Sequence, residues 1–319
     1  MSFTIREATI NDSLELFEMV KIYHEEINLR KKPFANSISG FIKECFEEKS
    51  KIFYHVAEYK GNMIGYSAYI FSYNIFNGAS IYIKEVFIKN EYRNIGVASF
   101  LFTNIVDIAK KNNSHLINCI IDSSNTERVS LLKKNNFTIL DDLLLLNIFK
   151  NDVELYLETV STVVFPKVRF AKSYELHDLY ELISDLAIEM KEEQHIDLYQ
   201  LMKDGFANNP KFKVLVTLNN DEVVGFTSFY ETYNTYIGKY INVDKVYVKK
   251  EFQKQKHGLS LMVNLFKHAH SNQFEKLETI LSKYNVEIIE QLKEFGIYPY
   301  DNLRVAELNN NDFSKFLNE

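Results

Sequence analysis

The chain has 319 residues, 46% hydrophobic and 25% charged, with a formal net charge of −6. This is enough apolar material for two cores of ordinary size, and it excludes a disordered chain. The acidic balance, with no run of Lys or Arg, argues against nucleic-acid and anionic-membrane partners. Two cysteines, Cys45 and Cys119, make no disulfide framework and read as buried reduced thiols. The first residues lack a signal-peptide pattern and no apolar run approaches bilayer length, so the expectation is a cytoplasmic protein without membrane contact.

Residues 3–8 alternate like a short strand. Asn11 and Asp12 then offer an N-cap to a helix whose apolar positions Leu14, Leu16, Phe17, Val20 and Tyr23 keep helical spacing. A second helix at 37–48 opens with Ser37 and Ser39. Residues 52–59 and 62–74 read as a hairpin turning at Lys60-Gly61-Asn62. A central strand at 80–88 runs through a short charged turn into the loop Arg93-Asn94-Ile95-Gly96-Val97-Ala98. The helix opened by this loop carries one apolar stripe of Val97, Leu101, Ile105, Ile108 and Ala109. A strand at 115–121, a helix at 126–135 and a closing strand at 137–149 follow.

Adding 160 to these numbers returns much of the pattern without a gap. Gly65-Tyr66 becomes Gly225-Phe226, Tyr73-Asn74 becomes Tyr233-Asn234, and Gly78 becomes Gly238. Asn104, Ala109, Asn125, Leu132 and Asp141 become Asn264, Ala269, Asn285, Leu292 and Asp301. So long a period, present only twice, marks a duplicated domain and not a solenoid. The expected division is a first domain at 1–150, a linker at 151–166 and a second domain at 167–319. The linker is amphipathic and poor in Gly, so it is expected to be ordered. Its Leu155, Leu157, Val160, Val163 and Phe165 are expected to bury against both halves.

A small-residue loop at a helix start leaves backbone N–H groups unpaired and lets a ligand come close. Those donors and the positive end of the helix dipole suit a pyrophosphate. The whole stretch from Gly65 to Ala98 resembles the acetyl-CoA-binding core of the GNAT N-acetyltransferases, and within them the spermidine/spermine (diamine) branch. The second half resembles the same branch at Glu192-Glu193-Gln194, at Asp204-Gly205-Phe206 with Pro210, and at Tyr233-Asn234-Thr235-Tyr236-Ile237-Gly238. The resemblance implies an α/β chain, two tandem GNAT domains each built on a mixed α+β sheet. It also implies acetyl-CoA as co-substrate and a small-molecule amine as acceptor; no metal is expected, since His24-Glu25-Glu26 is not a zinc motif and His268 and His270 cannot share one helix face.

On that resemblance the cofactor contacts fall on Val86, Phe87 and Ile88 of the central strand, on the loop Arg93, Asn94, Ile95, Gly96, Val97 and Ala98, and on Asn125. The branch carries a Glu-Asp pair where this chain has Lys84-Glu85, so Glu85 is the candidate catalytic base of the first half. Asp244 is the corresponding candidate in the second. Tyr73 and Tyr233, at strand ends beside the substrate loop, are the candidate amine contacts. Two departures bear on activity. Leu132 and Leu292 stand where the resemblance implies the Tyr that protonates the leaving thiolate, and a Leu has no proton to give. In the second loop, Lys256 stands where Gly96 stands, and its Cβ obstructs close approach to a pyrophosphate.

The expectation is therefore N-acetylation of a small primary amine, with the cofactor held by the first half. The alternative is a non-catalytic protein that binds acetyl-CoA or an amine and regulates something else. Diamine acetyltransferases of the resembled branch pair as dimers, so the two halves are expected to form an intrachain pseudo-dimer, with the chain a monomer.

Overall fold

Long apolar alternation makes the strands and 3.6-residue periodicity the helices, and the computed structural model places them in the expected order. It describes residues 3–27, 37–47, 50–294 and 297–317. The first half contributes β1 (Thr4–Glu7), α1 (Ser13–Glu26), α2 (Ile38–Phe46), β2 (Phe53–Tyr59), β3 (Asn62–Asn74), β4 (Gly78–Ile88), α3 (Val97–Lys111), β5 (Leu116–Asp122), α4 (Thr126–Lys134), β6 (Thr138–Leu140) and β7 (Leu143–Phe149). Then come α5 (Lys150–Thr159), β8 (Lys167–Phe170), α6 (Leu176–Met190), α7 (Leu198–Gly205), β9 (Lys213–Asn219), β10 (Glu222–Asn234), β11 (Gly238–Val248), α8 (His257–Ser271), β12 (Lys276–Ser282), α9 (Val286–Glu294) and β13 (Leu303–Asn309).

The sequence repeat is visible as register. β3 and β4 pair antiparallel with an irregularity between Ala68 and Tyr69, and β10 and β11 repeat it between Ser228 and Phe229. Lys84 and Asp244 are the extra residues of the two bulges. Gly65 and Gly225 recur for a steric reason: a Cβ at either would lie 2.6 Å from a carbonyl oxygen, of Phe87 or Tyr247.

The two sheets do not divide at residue 150. Among the described residues the first sheet runs β1-β2-β3-β4-β5-β13-β6 and the second β7-β12-β11-β10-β9-β8. The stretch read as one closing strand, 137–149, breaks at Asp141-Asp142. Its first part, β6, stays at home, while β7 crosses to lie antiparallel to β12. In return β13, which is β7 plus 160, lies between β5 and β6 of the first half. The hinge is tied across the halves, because Lys283 donates its backbone N–H to the Asp142 carbonyl and pairs with its carboxylate.

The linker is ordered as α5, but it does not bridge. Val153, Tyr156 and Val160, with Leu157, Val163 and Phe165, join the core of the second sheet with Leu261, Phe266 and Ala269 of α8. The halves are joined instead by one continuous core. Leu16, Val20, Phe41, Tyr66, Tyr73 and Tyr82 of the first half lie in the same buried cluster as Leu179, Ile183, Leu201, Phe212, Tyr230 and Tyr233 of the second. Cys45 and Cys119 are buried and free. Among the described residues no helix is long and apolar enough to cross a membrane.

Candidate active site

β4 and β5 pair in parallel only from Ser80↔Leu116 to Ile83↔Cys119. β4 runs on to Ile88 and β5 to Asp122, so beyond Ile83 the two strands part. The bulge at Lys84 turns the strand at that point. The expected contacts Val86, Phe87 and Ile88 lie on the diverging stretch. Asn125 stands just past the end of β5 and caps α4, its Oδ1 accepting the N–H of Arg128 at 3.0 Å.

The loop 93–98 lies past the open end of β4. Gly96 is the N-cap of α3 with φ +93, and no side chain caps the helix. A Cβ on Gly96 would meet nothing within 4 Å, so its surroundings are open. Asn94, Ile95 and Gly96 are exposed, whereas Val97 and Ala98 pack inward. The first amides of α3 have no intrahelical partner and face outward at a positive dipole end. Arg93 braces this geometry: its Nε donates to the Ile88 carbonyl at 2.9 Å and its Nη2 to both oxygens of Glu26 at 2.9 Å.

Glu85 is 2% exposed and its carboxylate is well supplied with donors. The Oε1 atom takes Thr235 Oγ1 at 2.7 Å and His24 Nε2 at 3.0 Å, and Oε2 takes the Tyr66 hydroxyl at 2.8 Å. Burial pushes this carboxyl up, but His24 and the two hydroxyls outweigh it and the net direction is down. Thr235 comes from the second half, on the loop between β10 and β11. Beside it, Tyr236 stacks on the His24 ring with centroids 5.0 Å apart.

The second half is not a mirror of this. Its loop keeps the frame of the repeat, with α8 starting at His257 and Gln253 Nε2 bonding the Val248 carbonyl as Arg93 bonds Ile88. Lys256 occupies the left-handed N-cap at φ 64, and His257 is buried against Thr217 Oγ1 at 2.8 Å. Asp244 aligns by number with Lys84 and not with Glu85. It accepts the Ile75 N–H at 2.8 Å and the Ser228 hydroxyl at 3.2 Å, and burial pushes its carboxyl up. Glu85 and Asp244 are therefore not gathered into one site; each receives the opposite half's β-strand loop.

Tyr73 and Tyr233, expected at the amine, are each 3% exposed in the shared core, and Tyr73 stacks on Phe212 at 4.4 Å. Leu132 is likewise buried, with Phe102, Cys119 and Phe137 in its cluster, so no proton donor stands there.

A second polar cluster escaped the sequence reading. Lys84 Nζ lies 3.4 Å from the centroid of the Tyr82 ring, bonds the Tyr240 hydroxyl, and sits 3.8 Å from Glu278. Glu278 also takes Lys276 at 2.6 Å, and Lys276 reaches Asn147 of the exchanged strand at 2.9 Å. Burial lowers the Lys84 amine to about 7. Burial pushes the Glu278 carboxyl up, yet the two lysines hold it at about 2. No group of three or more His, Cys, Asp or Glu among the described residues could hold a metal ion.

The model of the acetyltransferase (GNAT) family matches residues 15–137 and again 176–296. A human spermidine/spermine N(1)-acetyltransferase-like protein 1 is 29% identical over 96 residues, 27% of this chain and 14% of that protein. The bovine thialysine N-epsilon-acetyltransferase is 34% identical over 47 residues, 15% of this chain and 28% of that protein. Both matches thus span under a third of the relative's length. Among solved structures, a tandem GNAT protein from the clavulanic acid biosynthesis pathway superposes with a TM-score of 0.57 at 11% identity, over 97% of this chain and 99% of that one. A GCN5-related N-acetyltransferase from Sphaerobacter thermophilus gives 0.54 at 11% identity, over 97% and 96%. With two family matches that cover the strand-loop-helix unit of each half, the chain belongs to the acetyltransferase (GNAT) family and carries its domain twice.

Proposed function

We infer that the chain is an acetyl-CoA-dependent N-acetyltransferase acting on a small primary amine of the diamine or polyamine kind, with the co-substrate held by the first half. One observation carries this reading. β4 and β5 part beside a helix opened by left-handed Gly96, so an extended thioester and a pyrophosphate have adjoining seats. The names of the two matched relatives, a spermidine/spermine and a thialysine acetyltransferase, support an amine acceptor. An acidic chain suits a cationic one.

In the reaction the neutral amine attacks the thioester carbonyl carbon, a C–N bond forms, and the C–S bond breaks. An ammonium with an ordinary pKa of about 10.4 must first lose a proton. Glu85, as a buried carboxylate beside the open end of β4, is the group to which that proton is directed. The sulfur leaves as thiolate, which at an ordinary pKa of about 8.5 needs no acid but leaves more slowly without one, and it takes up through solvent the second proton that the nitrogen sheds as the amide forms. The second half, with Lys245 where Glu85 would recur and Lys256 at its loop, serves the first as scaffold in a monomeric pseudo-dimer.

Buried Leu132 favours one rival, a binder of acetyl-CoA or amine that regulates something else. Mass spectrometry of the full chain with acetyl-CoA and a panel of diamines and polyamines separates the two. Acetylated amine and free CoA are expected; acetyl-CoA bound without turnover on any amine selects the rival.

A further inference from the structure

Comparison of the two halves isolates a group of polar residues present only once. Glu85 becomes Lys245 after 160 residues, Tyr66 becomes Phe226, and Thr235 is the counterpart of Ile75. The opening helices are offset by 163, as the pairs Arg6–Asp12 and Arg169–Glu175 show, and on that offset His24 becomes Ala187. All four counterparts of this hydrogen-bonded cluster are thus changed, and three of them, Phe226, Ile75 and Ala187, offer no side-chain donor. Yet Tyr66 and Phe226 are both fully buried, as are Thr235 and Ile75, and the bulge is the same. The fold does not need the cluster, since it builds the same strands and loops without it.

The loops exchange to match. The second half's loop brings a hydroxyl to the Glu85 carboxylate at 2.7 Å. The first half's loop brings apolar Ile75 and Phe76 to the corresponding place, where the Lys245 amine lies 5.0 Å from the Phe76 ring. Both loops are set by one device, an Asn side chain that accepts two successive backbone N–H groups. Asn74 takes those of Phe76 and Asn77, and Asn234 those of Tyr236 and Ile237. The tips have the same geometry and different chemistry.

We propose that the second half's loop at 233–238 is a working part of the first half's centre: Thr235 is a positioning residue that fixes the Glu85 carboxylate, and Tyr236 seats His24 against it. The proposal rests on the acetyl-transfer reading above and makes the chain an enzyme with one centre built from both halves. A carboxylate at the end of a splayed strand turns on its χ angles unless donors hold it, and donors on two elements and an opposing loop restrain it more than any one could. The groups that face Glu85 are His24 and Tyr23 of α1, Cys45 of α2, Tyr54 of β2, Tyr66 of β3, Thr235, and Lys84 beside it. Burial pushes Tyr23, Tyr54, Tyr66 and Cys45 up, so they stay neutral. The other titratable neighbours of Glu85 are His24, in contact with it at 3.0 Å, and Lys84.

The test compares wild type with Thr235→Val and Thr235→Ser, each as the full chain. Ile75 at the equivalent place shows that the loop accepts an apolar side chain, and Thr235→Ile is the second variant should Val perturb folding. The Glu85 carboxyl is titrated by NMR with 13C-labelled glutamate, its resonance assigned by its loss in Glu85→Gln. In Thr235→Val the titration moves up and the acid limb of kcat moves with it. At fixed pH kcat falls on the order of tenfold while acetyl-CoA affinity by calorimetry is unchanged. Thr235→Ser restores the position of the titration and the rate. An unmoved titration in Val, or a Ser variant no better than Val, overturns the proposal. Wild type that turns over no amine while the titration behaves as described leaves the positioning role standing and removes the acetyl-transfer reading instead.

Discussion

Residues 1–150 expressed alone lose β13 from beside β5 and lose the β12 partner of β7. β13 pairs with β5 at seven positions, from Leu303↔Asp122 to Asn309↔Leu116, and it holds β6 as well. It also buries Leu303, Val305 and Leu308, exposed by 6%, 1% and 1%. At about 1.5–3 kcal/mol for each such side chain, the missing strand withdraws about 5–9 kcal/mol before any backbone hydrogen bond is counted. A domain's net stability is only about 5–15 kcal/mol. The fragment also bares Tyr73, whose ring lies on Phe212 of the absent half. It does, however, carry β7, the counterpart of β13, and a second fragment can lend that strand to an open β5. The expected outcome is a strand-exchanged homodimer or aggregate, read by sedimentation velocity over a range of concentrations. A stable, active monomer at low concentration would refute the reasoning, because it would mean that β6 and β7 can close the sheet within one domain.

Gly96→Lys copies the second half, where Lys256 already holds φ 64, so the variant should fold with a backbone cost of about 1–2 kcal/mol. Its acetyl-CoA affinity by calorimetry should fall about tenfold to a hundredfold, the worth of one charged hydrogen bond; no change would remove the pyrophosphate from this loop. Lys84→Met concerns stability and pH. The Lys84 amine sits at about 7 when folded against the ordinary 10.5, so the unfolded chain binds the extra proton between these values. Its burial penalty is therefore full below about 7 and is relieved as pH rises toward 10.5. Wild-type melting should improve with pH through this window relative to Lys84→Met, and parallel curves would show that Lys84 is not the group responsible. Leu132→Tyr puts a larger, polar side chain into a core position 4% exposed, at a cost of about 1–3 kcal/mol. A lower melting temperature without faster turnover is expected, and a faster enzyme would mean that the phenol reaches the cleft after all.

The elements and the repeat were legible because each depends on local spacing. Val97 to Ala109 has one apolar stripe, and α8 begins 160 residues after α3 as the repeat requires. The exchange of β7 and β13 was not legible, for a physical reason. The two strands are counterparts, so pairing at home or across satisfies the same backbone groups and buries the same alternating side chains. Only the course of the chain at Asp141-Asp142 decides, and two acidic residues in a turn announce no direction. The second half of the site was hidden differently. Thr235 belongs to a loop that matches its counterpart at Tyr, Asn and Gly, and its one informative feature is that it differs from Ile75. His24 is four residues beyond Val20 on the buried stripe of α1, where a histidine reads as a satisfied core residue until Glu85 is seen against it.

What each half has kept follows from what the structure asks of it. Gly225 remains because a Cβ there would strike the Tyr247 carbonyl, and Asn234 because its side chain sets the loop that enters the first half. β12 remains a full strand because β7 has no other seat. The loop at 250–256 carries no such duty. Its residues are exposed or half-buried, and the helix behind it is anchored independently by His257 on Thr217 and by Ser260 on the Pro166 carbonyl. A lysine can therefore hold the left-handed position there without disturbing the packing behind it. The same logic runs the other way in the first half. There nothing in the packing demands Gly96, whose absent Cβ faces open space. The left-handed backbone alone accounts for the glycine, as it does for Gly61 in its hairpin turn, and the open space beside Gly96 leaves the first amides of α3 accessible, as the proposed pyrophosphate seat requires.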